Sequence, residues 1–252
     1  MGGWRRWGSA HSPFIRAIIW SAMILAQLQA DPPFLTDDPE PVGYHHWEFY
    51  LASQHAFGRV ISTGTLPHLE VNVGAFPNTQ LHVIIPLGYS RSAAGHTYGV
   101  GDVELGIKYR FVQESDDGPQ IGTFPLVELP TGSAGRGLGN GSAQVLLPIW
   151  MQKSWGKFTT YGGAGWWIIP AAGHQHWAYA GWEAQYEISD MVTIGGELYS
   201  HTADVPGTPH VSGLNAGGYL NLDEHHHILL SLGRTFAGGS SVTAYVGYQL
   251  TI

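Results

Sequence analysis

The stretch from Gly99 to Val112 reads Gly-Val-Gly-Asp-Val-Glu-Leu-Gly-Ile-Lys-Tyr-Arg-Phe-Val, and its side chains alternate in character. One parity is apolar and the other mostly charged: Val103, Leu105, Ile107, Tyr109 and Phe111 against Asp102, Glu104, Gly106, Lys108 and Arg110. Because successive side chains of a strand point to opposite faces, the stretch predicts a strand with one apolar face and one charged face. At helical spacing the charges would lie all round the element, so a period of two residues is favoured.

The same alternation recurs along the chain and predicts twelve strands. They cover residues 46–53, 68–75, 79–90, 99–112, 119–129, 143–152, 157–168, 177–188, 191–200, 212–222, 227–235 and 241–252. Four prolines lie within or next to these segments, where a missing N–H weakens a ladder: Pro67, Pro86, Pro125 and Pro148. We therefore expect bulges near them.

The predicted connections alternate in length. Short ones fall at 76–78, 154–156, 189–190 and 223–224, and longer loops rich in glycine and proline fall at 54–67, 91–98, 130–142 and 202–211. An even number of strands with short turns on one rim and long loops on the other is typical of an outer-membrane β-barrel.

Composition agrees with strands that meet something other than water. Charged residues make up 12% of the chain, against about 25% in an ordinary soluble domain, while glycine, tryptophan and tyrosine are abundant. The 19 acidic residues all lie at or after Asp31, whereas three of the 11 basic residues lie before it. An acidic chain without a basic stripe is a poor nucleic-acid binder, so we exclude that class of partner. The absence of cysteine excludes disulfides and thiolate metal sites.

The first thirty residues have the order of a secretory signal peptide. Three arginines precede an apolar run, residues 17–26, and the segment ends on the small residue Ala30. The run is too short to span a bilayer, and an uncleaved amphipathic anchor is the alternative. The predicted organisation is a signal peptide at 1–30, a periplasmic lead-in or a plug at 31–44, and a transmembrane barrel at 45–252.

Periodicity alone leaves open which face of each strand meets the lipid. A soluble exported β protein would bury the apolar parity, whereas a membrane barrel turns it outward. The signal peptide, the two kinds of rim and the aromatic residues near strand ends (Trp47, Tyr89, Tyr109, Tyr186 and Tyr248) favour the barrel. The fold class expected is therefore all-β, a closed antiparallel up-and-down transmembrane barrel of about twelve strands. The polar parity then lines the lumen with Glu48, Glu70, Asp102, Glu104, Lys108, Arg110, Glu128, Glu183, Glu187 and Glu197.

Residues 99–111 resemble the outer-membrane family named for the MetA pathway of phenol degradation, which is similar to the barrels of functional-amyloid exporters. The stretches 36–41, 46–50, 128–132 and 137–141 support the likeness. The resemblance covers most of the chain after Ala30 and implies a twelve-stranded outer-membrane barrel with a transport role. The chain departs from many outer-membrane barrels in ending on Ile252 instead of Phe or Trp.

Fourteen histidines raise the question of a metal site. The runs His225-His226-His227 and His45-His46 are adjacent in sequence, so their side chains alternate in direction and favour a turn or rim position over one ion. His174 and His176 share a face, but no third ligand is evident. The glycine-rich stretch 135–141 lacks the Lys-Ser/Thr of a phosphate loop, and no spacing identifies a serine nucleophile and its base. We therefore expect no cofactor, no metal and no enzyme activity, with a barrel-borne lipid hydrolase as the enzymatic alternative.

The function expected is an outer-membrane pore that passes small solutes, including aromatic or hydrophobic compounds, or an exported polypeptide, through an acidic lumen. Eight of the ten charged lumen positions are acidic, which favours cations or polar neutral solutes. Lys108 and Arg110 are expected to pair with acids on neighbouring strands. A plugged barrel without conductance is the structural alternative. The expected partners are outer-membrane lipid, the barrel assembly machinery and an unidentified small solute.

Overall fold

A computed structural model describes residues 32–252, and the predicted signal peptide at 1–30 lies outside the described residues. The described chain forms fourteen strand segments and one 3-10 helix, Ala134–Arg136. The strands are β1 Trp47–Gly58, β2 Ile61–Phe76, β3 Thr79–Ser92, β4 Gly95–Val100, β5 Val103–Val112, β6 Gln120–Thr123, β7 Leu126–Leu129, β8 Gln144–Trp155, β9 Phe158–Ile168, β10 Trp177–Ser189, β11 Val192–His201, β12 Val211–Asn221, β13 His226–Ala237 and β14 Ser241–Thr251. Across residues 32–252 no helix is long and apolar enough to cross a membrane.

These segments make a closed antiparallel barrel of twelve strands. Segments β4 and β5 both pair with β3, so together they count as one interrupted strand. Segments β6 and β7 both lie between β5 and β8, and they count as a second interrupted strand. The barrel closes where β1 pairs with β14 over eleven residues, from Glu48–Thr251 to Gly58–Ser241. The predicted fold class is confirmed.

The apolar parity of the strands faces outward. Leu105 and Ile107 on β5 are 42% and 51% exposed, and apolar residues of the other strands are exposed in the same way. Their charged neighbours Glu104 and Lys108 are buried inside the barrel. A soluble β protein would show the reverse, so the exposed apolar band fits hydrocarbon around the barrel. Exposed aromatic side chains lie near both rims, including Trp47, Tyr109, Trp155 and Tyr186 at the short-turn rim and Phe57, Trp166 and Phe236 at the opposite rim.

Two of the predicted long loops are instead hairpins. Residues 54–67 extend β1 and β2 to a turn at 59–60, and residues 91–98 are the end of β3, a turn at 93–94 and the start of β4. The sequence prediction failed there because Ser, Thr and Gly occupy both parities, so apolar alternation is absent while the backbone ladder continues. The predicted loops at 130–142 and 202–211 are found between β7 and β8 and between β11 and β12.

Prolines interrupt the ladder where the sequence predicts irregularities. The β2–β3 register shifts between Thr65 and His68, across Pro67, and Pro125 separates β6 from β7. Pro148 of β8 lies opposite this second break, where its carbonyl accepts the Thr123 hydroxyl at 2.6 Å. Two residues without an N–H thus share one gap in the ladder.

Candidate functional site: the barrel lumen

The lumen has two different walls. Strands β1 to β5 contribute buried carboxylates and histidines, which we call the acidic wall: Glu70, His68, His82 and Glu104. Segments β6 to β11 contribute buried rings, which we call the aromatic wall: Phe124, Trp150, Trp167, Trp177, Tyr179 and Tyr199. Glu183 and Glu197 are buried on the same side, on β10 and β11.

The predicted lumen residues are distributed unevenly along the bore. Seven of them are buried inside the barrel: Glu70, Asp102, Glu104, Lys108, Glu128, Glu183 and Glu197. Glu48 and Arg110 are half-buried near the short-turn rim. Glu187 is exposed at the end of β10, at the rim and not inside the bore.

A hydrogen-bonded chain ties the acidic wall together across β2, β3 and β5. Asn72 donates its amide to Glu70 at 2.9 Å, and its amide oxygen contacts Nδ1 of His82 at 2.6 Å. The other ring nitrogen of His82 lies 3.1 Å from Glu104. A buried polar network whose members have partners holds its side chains in fixed positions.

Residues 32–44, which we call the inner segment, run from inside the barrel to its short-turn rim. Residues 32–39 are mostly buried, whereas Glu40, Gly43 and Tyr44 are exposed. The chain enters at the short-turn rim, where the amide of His45 donates to the carbonyl of Gly74 at 2.9 Å. It then passes along the bore until the carbonyls of Pro32 and Pro33 accept the hydroxyls of Tyr219 and Ser231. Phe34, Leu35, Thr36 and Asp37 are all buried.

The basic residues of the lumen pair with the inner segment. Nζ of Lys108 lies 2.9 Å from Asp37 and 3.2 Å from Asp38, and Lys108 and Asp37 are both buried. Arg110 lies 3.6 Å from Glu40. These partners replace the cross-strand acids that the sequence analysis expected, because the acids of the inner segment reach into the bore. A buried ion pair broken by removing one partner costs about 3–5 kcal/mol, so Lys108 holds this segment firmly.

A second set of contacts holds the deep end of the inner segment. The carboxylate of Glu197 accepts the backbone amides of Leu35 and Thr36, each at 2.8 Å, and also the side-chain amide of Asn215. The Leu35 side chain packs in the apolar cluster of the aromatic wall. Glu197 and the aromatic wall therefore bind the segment through polar and apolar contacts together.

The long loop at 130–143 folds over the opposite end of the acidic wall. Asp102 accepts the amides of Gly132 at 2.8 Å and of Asn140 at 2.6 Å, and the Asn140 side chain donates to Glu128 at 2.7 Å. Leu138 of this loop is buried. The loop thus narrows the bore from the long-loop rim, while the inner segment fills it from the short-turn rim.

The side chains of the histidine run at 225–227 diverge, as their adjacent positions predict. Nδ1 atoms of His225, His226 and His227 contact three different partners: the carbonyl of Thr251, the hydroxyl of Tyr248 and the side chain of Asn221. Nearby Asp223 accepts the amides of His225 and His226, and these hydrogen bonds hold the pKa of its carboxyl below the ordinary value. Within the part of the chain that the structure describes, no group of three His, Cys, Asp or Glu side chains is placed to hold a metal ion.

The aromatic wall was not predicted from the sequence. Trp150 and Leu146 share the inward parity of Gln144 and Gln152, and the inward Trp167 comes from a strand with large residues on both parities. The sequence signal that could have revealed this wall is the parity of β8 that mixes glutamine with bulky apolar side chains. That mixture indicates a lumen filled by protein side chains and not by water alone.

Solved structures share this barrel. The chain is similar to the COG4313 outer membrane channel from Pseudomonas putida F1, with a TM-score of 0.71, 16% identity, and coverage of 89% of this chain and 100% of that one. It is also similar to the NanC porin (TM-score 0.55, 11% identity, 80% and 98% covered). A third likeness is to the translocator domain of the autotransporter NalP from Neisseria meningitidis (TM-score 0.54, 11% identity, 83% and 89% covered). At these identities the likeness shows the fold, which a channel, a porin and a translocator share.

No protein-family model matches the chain, and a search of curated proteins finds no match. The resemblance to the MetA-pathway family therefore stays a prediction, supported only at the level of an outer-membrane-type barrel.

Proposed function

We propose that this protein is an outer-membrane channel for small cationic or neutral solutes, closed in this state by its inner segment. The observation that carries the proposal is a closed barrel whose outside is apolar and whose enclosed charges are mostly acidic. Seven predicted lumen residues are buried there, and Lys108 is the single base among them. Rings of carboxylates favour cations over anions in a pore. The similar Pseudomonas putida barrel is an outer membrane channel, which supports the same function.

The proposed orientation places the short-turn rim in the periplasm, as in other outer-membrane barrels. The inner segment then enters the bore from the periplasmic side, and the loop at 130–143 narrows it from outside. Passage of a solute requires the inner segment to leave at least part of the bore, because Asp37, Leu35 and Thr36 are buried against the lumen side chains.

Reversal potentials in planar bilayers test the proposal. The purified full-length protein is placed between unequal KCl solutions, and the expected reversal potential has the sign of cation selectivity. Neutralising Glu104 or Glu183 in the bore should reduce that selectivity. The matched control is Glu187→Gln, which removes one acid from the exposed end of β10 and should leave selectivity unchanged.

A plugged structural barrel is the second candidate, because the inner segment makes buried ion pairs and hydrogen bonds along the bore. It predicts no conductance even when those contacts are weakened. Anion selectivity, or selectivity that ignores Glu104 and Glu183, would contradict the acidic-pore proposal.

A further inference from the structure

The aromatic side of the lumen contains buried polar groups without hydrogen-bond partners. Both carboxylate oxygens of Glu183 lack one, although the residue is 0% exposed. The indole N–H groups of Trp150, Trp167 and Trp177 and the hydroxyl of Tyr199 are buried and unpartnered in the same way. Unpartnered buried groups are few in native proteins, and each calls for an explanation. Glu183 is the acceptor-only group among them, and a buried acceptor without a partner points to a cationic donor as its ligand.

Glu183 lies beside a carboxylate that does have partners. It pairs directly across the β10–β11 ladder with Glu197, so the two side chains point inward from neighbouring positions. Directly opposed residues have Cβ atoms about 4.5–5.5 Å apart, which lets one small group contact both carboxylates. Glu197 accepts two backbone amides of the inner segment and the side-chain amide of Asn215, and none of these three donors carries a net charge. Residues 32–44 contain no Lys, Arg or His, so the inner segment offers this pair of carboxyl groups no cationic partner.

The inner segment occupies this place with a ring and two N–H donors. A Cβ added at Gly195 would contact both the Glu183 carboxylate and the ring of Phe34, so that ring lies next to the unpartnered acid. At Gly181 an added Cβ would collide with the hydroxyl of Thr36. Glycines at these two wall positions leave the room that the occupant fills.

We propose that the inner segment covers a binding site for small molecules that join an aromatic ring to an ammonium group. The ring takes the place of Phe34 and Leu35 on the aromatic wall, and the ammonium replaces the two amides on Glu197. The ammonium also gives Glu183 a cationic hydrogen-bond partner. The faces of the tryptophan rings attract cations as well. This inference rests on the proposed channel function and names its class of solute.

Three probes of the full-length protein test the assignment: 2-phenylethylammonium, the neutral 2-phenylethanol, and ethylammonium, which has no ring. Binding is measured by isothermal titration calorimetry in detergent, with the wild type and with Lys108→Gln, which weakens the hold on the inner segment. We expect 2-phenylethylammonium to bind at least tenfold more tightly than either other probe. We also expect it to bind more tightly to Lys108→Gln than to the wild type, because the segment competes with it.

Glu183→Gln and Glu197→Gln locate the site. Each should lower the affinity for 2-phenylethylammonium relative to that for 2-phenylethanol about tenfold or more, because only the ammonium needs the carboxylate. Glu187→Gln, on the same strand as Glu183, should leave both affinities unchanged. Equal affinities for the three probes, or tight binding that survives both substitutions, would overturn the inference. The probe comparison needs no lumen-acid variant, so it decides the matter even if those variants do not fold.

The failures of the two proposals are distinguishable. Cation conductance without selective binding of 2-phenylethylammonium would refute the binding site and support the channel. Selective binding of 2-phenylethylammonium without conductance in any variant would refute the channel and support the binding site.

Discussion

Lys108→Gln should open the bore. The lysine ammonium contacts Asp37 at 2.9 Å and Asp38 at 3.2 Å, deep in the lumen where Lys108 and Asp37 are shielded from water. Glutamine keeps most of the side-chain length and removes the charge, so both acids of the inner segment lose their counter-ion. The docked segment then holds an uncompensated buried carboxylate, while the undocked segment places it in water.

The magnitude follows from the burial of the pair. Removing one partner of a buried ion pair costs about 3–5 kcal/mol, and every 1.4 kcal/mol changes an equilibrium about tenfold. The ratio of docked to undocked segment should therefore fall by a factor between about 100 and about 5,000. The Glu197 contacts to Leu35 and Thr36 remain, so docking of the inner segment is weakened and not abolished.

Single-channel recording in planar bilayers measures this change as open probability. Lys153→Gln is the matched control, since Lys153 pairs with Glu114 at 3.2 Å near the short-turn rim and does not contact the inner segment. Open probability should rise in Lys108→Gln and stay at the wild-type value in Lys153→Gln. Adding Asp37→Asn to Lys108→Gln should restore part of the closure. Unchanged closure in Lys108→Gln would refute the reasoning that this ion pair holds the bore shut.

Two further predictions concern the barrel wall and the outer loops. Ile107→Arg should lower the free energy of unfolding from lipid by about 2–4 kcal/mol, whereas Leu222→Arg in the rim turn should lower it by about 0–1 kcal/mol. Urea titration in liposomes measures both, and equal losses would contradict the depth assigned to β5. Burial raises the pKa of Asp204 in the loop at 202–210. Its charged form disfavours the folded loop, so protease resistance of this loop should increase as the pH falls through that raised pKa, and Asp204→Asn should be resistant at both neutral and acidic pH. A loop whose cleavage shows no such pH dependence would exclude this role for Asp204.

Most of the strands could be predicted because they carry their own two-residue period. The β5 stretch shows this best, since its apolar parity is exposed and its charged parity buried. The hairpin at 54–67 could not be predicted. It lies beyond the apolar band, at the long-loop end of the barrel, where both faces of a strand tolerate Ser and Thr. Backbone pairing marks it as strand: the two arms pair with each other, and they also pair with β14 and β3.

The lumen was predicted only in part. The parity of Glu104, Glu183 and Glu197 indicated an inward position, which the burial of all three matches. Their partners were beyond sequence reasoning: Glu197 binds Leu35, 162 residues earlier in the chain. The acids at 37–40 have no periodicity that distinguishes a periplasmic lead-in from a segment inside the bore. Such contacts depend on closure of the barrel, which brings distant strands round one short stretch.

Oxygen and nickel accessibility of spin labels on β5 tests the central claim, that the apolar parity faces lipid and the charged parity encloses the bore. The chain has no native cysteine, so single cysteines at positions 105 and 107 can be labelled without background, with position 187 as the aqueous control. In bilayers, labels at 105 and 107 should collide with dissolved oxygen and be protected from a water-soluble nickel chelate, and the label at 187 should show the reverse. Labels at 105 and 107 that are open to the chelate, or shielded from both reagents by a second layer of protein, would contradict the account.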